Sequence, residues 1–463
     1  MSIVHRREWL KQGAAGIGTA FAAPALAHER VTEFHFHHDH VIGTSLDLHV
    51  RVADVVQAEA AERIALDEIE RLRRIFSIYD PGSEISRVNG ARGPRIVSPE
   101  LAELLGIYEE WQRRTGGVIC AIPDGGGWRL DFRNRFVERF TPSPFNLNAL
   151  GKAYIVEKAI AAVRRNVPVA GILLNIGGDI AAWGERWAVG IQNPHEPYDN
   201  APPLGGVFLR NQAIASSGGY LRGTHIRDPR SGRTAGGVAG ATVIAANCVT
   251  ANALATALCI LDPTAGLRLV AGIPDADCLI AAANGAVFRS PGLPFQEVRP
   301  VHSVLADDEK KADAWPDGFK VTVNLELPKV DAKRYRKPYV AVWIEDDKGT
   351  AVRTLAVWGN APKYLKDLSD WWKIGKADND LVKAVARATR GPGKYDLQWD
   401  GKDDKGKALP QGTYTVRVEV HREFGSHLRQ TGKIECLGKA ASAKMDKNAE
   451  TGDTALEYGK PKK

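Results

Sequence analysis

Between about residues 40 and 300, short apolar runs alternate with stretches whose apolar positions recur every three or four residues. From Ala53 to Ser77, Ile64, Ile69, Leu72, Ile75 and Phe76 fall at helical spacing with charges between them, which predicts one long packed helix. Pro99–Arg114, Lys152–Arg164 and Thr250–Leu261 predict further helices. Gly171–Ile176, Trp187–Ile191 and Ala241–Ala246 read as strands, the first two separated by a Gly-Gly turn. Strands and helices mixed without strict βαβ alternation predict an α+β fold.

The pattern changes near residue 304, where charged and chain-breaking residues run as far as Gly318 and mark residues 304–316 as a linker. Beyond it only strand-like segments follow: Lys320–Leu327, Tyr339–Ile344, Val352–Val357, Tyr395–Trp399 and Thr413–Val420. With the turn-rich stretch Asp400–Lys407 between the last two, residues 317–436 predict a small antiparallel β-sandwich. Residues 437–463 are polar, Lys-rich and poor in aromatics, which predicts a disordered tail.

At 463 residues the chain exceeds one ordinary core, in keeping with two or three domains. A hydrophobic share of 44% and a charged share of 25% suit a globular protein. The net charge of +7 is spread along the chain with no basic stripe interleaved with aromatics, so no nucleic-acid partner is expected. Residues 1–27 read as an export address. Arg6 and Arg7 precede a weakly apolar Gly/Ala-rich stretch, and Ala25-Leu-Ala27 supplies the small residues a signal peptidase needs. The paired arginines resemble a twin-arginine signal and imply a periplasmic location. That stretch is too short for a spanning helix. Five cysteines without CxxC spacing read as buried small apolar residues rather than a disulfide framework. His35-Phe-His-His-Asp-His40 holds possible transition-metal ligands, but on a strand His35 and His37 share one face while His38 and His40 share the other.

Four runs carry candidate chemistry: Asn146-Leu-Asn-Ala-Leu-Gly-Lys152, Leu173-Leu-Asn-Ile-Gly-Gly-Asp-Ile180, Thr224-His-Ile-Arg-Asp-Pro-Arg-Ser-Gly232 and Thr250-Ala-Asn-Ala-Leu-Ala-Thr256. In this order, preceded by Ile42-Gly-Thr44 and by Phe76–Asn89, they resemble the ApbE family of FAD:protein FMN transferases over roughly residues 42–290, within an expected domain of residues 28–303. Residues 317–436 are similar to an immunoglobulin-like periplasmic domain of unknown function that accompanies flavin transferases. The resemblance implies an ApbE-like domain that takes FAD as donor and Mg²⁺ as metal. It would move FMN onto a Thr or Ser of a periplasmic flavin-acceptor protein and release AMP.

By the same resemblance Ile42, Tyr79, Cys120, Asn146, Lys152 and Asp179 would contact the flavin nucleotide. His225 and Asp228 would lie at the reacting end, and Ala149, Asn252 and Thr256 would be the metal positions. Asn252 and Thr256, four apart on a helix, share one face. Three positions depart from the family pattern: Asn146 and Asn252 stand where it has Asp, and Cys120 also replaces an acid. Val249 occupies a further position where many members carry Asp. Amides keep a carbonyl acceptor but lose the negative charge that Mg²⁺ recruitment relies on. The alternative expectation is therefore a catalytically impaired FAD-binding or docking protein of the same family.

Overall fold

The computed structural model describes residues 31–196, 203–219, 226–297, 314–330, 337–359, 365–375, 390–423 and 425–461, together with 198, 200, 201, 386 and 387. The export signal, linker residues 304–313 and His225 lie outside the described residues. The chain divides into two compact units, one of residues 27–197 and 203–298, the other drawn chiefly from 299–463.

The first unit begins with the hairpin β1 (Thr32–Val41) and β2 (Thr44–Val52), then α1 (Val55–Phe76), α2 (Glu84–Gly90), β3 (Arg95–Ile96) and α3 (Pro99–Arg114). It continues through β4 (Trp128–Asp131), β5 (Phe136–Arg139), α4 (Gly151–Asn166), β6 (Gly171–Ile176), β7 (Asp179–Gly184), β8 (Trp187–Ile191), β9 (Gly205–Leu209) and β10 (Gln212–Gly218). The remainder is β11 (Val238–Ala245), α5 (Cys248–Ile260), α6 (Pro263–Ala271), β12 (Asp277–Ala282), β13 (Val287–Arg289) and β14 (Gln296–Glu297). Eight strands form one sheet in the order β1-β2-β6-β7-β10-β11-β12-β13, antiparallel at every pairing.

Strand alternation buries both faces of this sheet. Ile172, Leu174, Val243 and Ala245 point into the core shared with α1, α4 and α5. Leu173, Ile214 and Ile244 point the other way, onto Trp187, Ile191, Val207 and Leu209 of the small sheet β14-β9-β8. Two-sided burial explains why β6 opens on the apolar run Ile172-Leu-Leu174 rather than an alternating pattern. The α+β expectation holds. One difference lies at the Gly-Gly turn, which leads into β7 and not directly to β8, because Asp179, Ala181 and Ala182 are small or polar and carry little strand signal.

In the second unit, Lys320–Leu327, Gly393–Trp399, Thr454–Gly459 and Ala441–Met445 form one antiparallel sheet. Tyr339–Glu345, Ala351–Trp358, Gly412–His421 and His427–Cys436 form the body of a second. Val321, Val323, Leu325, Leu397 and Trp399 of the first sheet share a core with Val340, Val342, Ile344, Val416 and Val418 of the second, which makes a sandwich. The expected disordered tail is corrected here: its residues supply two of the strands. Thr454, Leu456 and Tyr458 alternate with exposed or half-buried neighbours, so the two large apolar residues of that strand, Leu456 and Tyr458, face inward. The average composition of the tail, rich in Lys and poor in aromatics, concealed a strict period of two.

Candidate functional site

Three elements of the first unit deliver the central groups. Lys152 sits on the first turn of α4, Asp179 opens β7 after the turn Gly177-Gly178, and Asn252 lies near the start of α5. Asp179 shares its strand face with Ala181, which belongs to the helix-side core, so its carboxylate points at the helices. There Lys152 Nζ meets Asp179 Oδ2 at 3.0 Å. Asn252 Nδ2 donates to Asp179 Oδ1 at 2.7 Å. Lys152 Nζ also donates to the Gly177 carbonyl at 3.2 Å. Asp179 and Asn252 are buried, and Lys152 keeps 24% of its side chain open to solvent.

The turn that presents Asp179 is itself a fitted piece. Gly177 adopts φ +57° and Gly178 φ +95°, conformations that L side chains rarely take. The Gly178 N–H donates to Asn175 Oδ1 at 3.0 Å, and the Gly177 N–H to the Ser45 carbonyl at 3.2 Å. A Cβ on Gly177 would stand 2.6 Å from Thr44 Oγ1. Thr44 follows the two-residue turn Ile42-Gly43 of the β1–β2 hairpin, so two strand turns meet at this end of the sheet. Ile42 takes φ +44°, unusual for a β-branched residue.

Helix α5 is tied down at its N-terminus by Asn247, whose side chain accepts from the Thr250 N–H at 2.8 Å, and by Glu157, which accepts from the Val249 N–H at 2.7 Å. Burial pushes the Glu157 carboxyl above its ordinary range, opposed by the Val249 and Cys248 N–H groups. Cys248 is fully buried; burial, then the nearby Asp179 and Glu157, drive its thiol far up and keep it protonated and inert. One turn beyond Asn252, Thr256 Oγ1 lies 3.4 Å from Ser217 Oγ of β10.

Ala149 lies in the turn entering α4, and that turn is anchored by the Leu150 N–H donating to Tyr108 Oη at 3.0 Å. Tyr108 is fully buried on α3, and burial raises its phenol. At the rim, Asn146 Oδ1 accepts from the Asn148 N–H at 3.0 Å, and Asn148 Nδ2 donates to Tyr79 Oη at 2.9 Å. Tyr79 is 79% exposed, as a ring offered to a ligand would be. Cys120 is half-buried, and desolvation raises its thiol. Asp228 accepts from Arg230 at 2.9 Å and 2.8 Å, which holds its carboxyl below the usual range. Those bonds, with the Arg230 N–H at 2.9 Å, shape its own loop.

The structure thus brings Lys152, Asp179 and Asn252 into contact, with Thr256 on the same helix as Asn252. Ile42 adjoins the Gly177 turn through Thr44. Asn146 joins Cys120's neighbour through its N–H to the Ala121 carbonyl and reaches Tyr79 through Asn148, and Asp228 is engaged locally. Sequence reasoning missed Tyr108 and Glu157 as supports, because a buried Tyr and a Glu on amphipathic helices read as core and solvated face; Ser217 lies in the Ser-Ser-Gly-Gly run 216–219, whose hydroxyls and glycines the sequence already marks as able to approach a phosphate.

The described residues also test whether a divalent cation fits. Ala149, Asn252 and Thr256 can offer a carbonyl, an amide oxygen and a hydroxyl, all neutral. Asn252 Oδ1 is buried with no hydrogen-bond partner. The adjacent carboxylate of Asp179 accepts from the Asn252 amide through Oδ1 and faces the Lys152 ammonium at 3.0 Å, and its Oδ2 is likewise buried without a hydrogen-bond partner. Among the described residues no group of three His, Cys, Asp or Glu is arranged to hold a metal. An Mg²⁺ here would find three neutral oxygens and the single carboxylate of Asp179, and would draw the rest of its charge from a phosphate ligand.

Residues 42–121 and 129–280 match the ApbE family model, half of the chain, and the chain belongs to the ApbE family. Residues 320–453 match a second family, described as a predicted periplasmic protein (DUF2271). A FAD:protein FMN transferase of Rhodobacter capsulatus is 25% identical over 299 residues, covering 54% of this chain and 56% of that protein, so the chain spans little more than half of its length. The crystal structure of the ApbE protein of Thermotoga maritima is similar at 21% identity and a TM-score of 0.50, over 56% of this chain and 97% of that one. The flavin transferase ApbE of Vibrio cholerae matches at 19% identity and a TM-score of 0.46, over 57% of this chain and 98% of that one. Among the described residues no helix is long and apolar enough to cross a membrane.

Proposed function

We propose that the first unit binds FAD and transfers its FMN moiety to a Thr or Ser hydroxyl of an exported acceptor protein. The hydroxyl oxygen attacks the FMN phosphorus, the bond to the AMP phosphate breaks, and the hydroxyl proton passes to solvent. The observation that carries this reading is the meeting of Lys152, Asp179 and Asn252 from three elements at one end of the sheet. Family membership and the Rhodobacter capsulatus relative support the same reaction. Lys152 would supply positive charge to the diphosphate, where in-line displacement needs it. Tyr79 would flank the flavin ring, and Asn146 would hold the nucleotide at the rim. Asp228, tied to Arg230, shapes the acceptor-side loop. The match to a periplasmic domain family supports export, and the paired Arg6 and Arg7 favour the twin-arginine route for it.

One observation favours a second reading. Asn252 spends its amide on Asp179 where an acid would have added charge, which suits a protein that holds FAD without completing transfer. Incubating the protein with FAD and an acceptor fusion carrying a modifiable Thr separates the two. An acceptor heavier by FMN, with AMP released, supports transfer. FAD bound without an adduct supports the second reading, and absence of FAD binding overturns both.

A further inference from the structure

We propose that, independently of any FAD site, the small sheet β3-β5-β4 of the first unit docks on an anionic lipid surface. Ile96 pairs with Phe136 across β3 and β5, and strand alternation puts Phe140, one step past β5, on the same side. These three residues are 66%, 40% and 59% exposed, whereas Val137 between them is 2% exposed and turned to the core. Exposed apolar side chains gathered on one face mark a surface that meets something. The Phe132 ring lies over Gly106 of α3, where an added Cβ would stand 3.7 Å from it, and this contact fixes the β4–β5 hairpin to the unit.

Charge decides what covers this face. Residues 92–96 and 128–140 carry six arginines against two acids. Glu138 is taken by Arg129 at 3.0 Å, and Asp131 accepts from the Asn134 side chain at 2.8 Å. Arg139 donates to the Pro142 and Ser143 carbonyls. Arg92, Arg95, Arg133 and Arg135 are exposed, and among the described residues none of them is paired with an acid. Arg133 and Arg135 occupy the tip of the hairpin, while Arg92 and Arg95 lie at the β3 edge. Apolar groups ringed by unpaired arginines suit a bilayer interface, where the rings reach the acyl boundary and the guanidinium groups meet lipid phosphates. A lipid surface also asks for no fixed register, which suits arginines spread over a tip and an edge. The sheet is wired to the nucleotide rim: Arg139 Nη2 donates to the Asn89 carbonyl at 2.5 Å, and the Asn89 amide exchanges hydrogen bonds with the backbone of Phe145, next to Asn146. Docking would hold that rim beside the lipid.

Sedimentation of the protein with vesicles of phosphatidylglycerol, or of phosphatidylcholine alone, tests this at low and at physiological salt. Association with phosphatidylglycerol should be at least about tenfold tighter than with phosphatidylcholine and should weaken as salt rises. Arg133→Glu with Arg135→Glu should weaken it by about tenfold or more, and Ile96→Ser with Phe140→Ser by at least about fivefold. Both double variants should keep the wild-type Tm and FAD affinity, because all four side chains are exposed. Equal binding to the two lipids, or folded variants that bind vesicles like the wild type, overturn the proposal. So does no binding to phosphatidylglycerol, which would leave the face to an acidic protein. Vesicle binding without FAD binding would sink the FAD reading and leave the docking face standing. Should a variant unfold, the wild-type comparison of the two lipids decides.

Discussion

Asn252 and Asp179, 73 positions apart in the chain, are joined by a 2.7 Å hydrogen bond in which the amide donates and the carboxylate accepts. An aspartate at 252 would face Asp179 as a second anion in a buried place, raising the proton affinity of the pair. The amide removes that conflict and leaves Lys152 as the cation that answers Asp179. Stability and ligand charge are therefore coupled through three side chains.

Lys152→Met should show the coupling directly. It leaves Asp179, 3% exposed, with an amide but no cation, and breaking a buried pair from one side costs about 3 kcal/mol. Urea unfolding should register that loss, and Lys152→Met combined with Asp179→Leu should recover most of it. Equal destabilisation in the single and double variants would show that the pair is not energetically coupled.

Gly177→Ala tests the turn that presents Asp179. The φ of +57° disfavours an L side chain by about 1–2 kcal/mol, and the new Cβ would meet Thr44 Oγ1 at 2.6 Å. Thermal melts should show a loss above the backbone figure alone. Adding Thr44→Ala, which removes the Oγ1 and Cγ2 atoms and leaves only the Thr44 Cβ at 3.0 Å, should recover most of the excess over the backbone share.

Tyr108→Phe removes the acceptor of the Leu150 N–H inside a fully buried environment. The expected cost is about 1–3 kcal/mol, the penalty of an unsatisfied buried donor. Because that donor lies in the turn carrying Ala149, FAD affinity should fall as well. A variant with lower Tm and unchanged FAD Kd would confine Tyr108 to packing.

Glu157 supplies a pH prediction. Burial raises its folded-state carboxyl above the unfolded value of about 4.3. A raised carboxyl favours the fold below the unfolded pKa, and this contribution is lost as pH rises through the folded one. Glu157→Gln keeps an acceptor for the Val249 N–H and cannot ionise. Comparing melts from about pH 4 to about pH 7, the wild type should lose ground to the variant as pH rises. The opposite trend would mean that the α5 N-terminus rewards the charge more than burial opposes it.

Much of this protein was legible from local pattern. The apolar spacing of Ile64, Ile69 and Leu72 predicted α1, and Pro99–Arg114 coincides with α3, because amphipathic period and caps are local properties. The order of short motifs pointed to the family, since Gly-Gly turns and the run around Lys152 have meaning within a few residues. What local pattern left undetermined is who meets whom. Asp179 is a turn acid in sequence, and only its place on the helix-facing side of an eight-stranded sheet brings it to Asn252 and Lys152. Likewise Leu456 and Tyr458, lost among lysines, became strand residues because Lys320–Leu327 offers them a partner edge. Hydrogen-bond partners and charge neighbours at long sequence separation are set by packing, and packing is decided by the whole sheet at once.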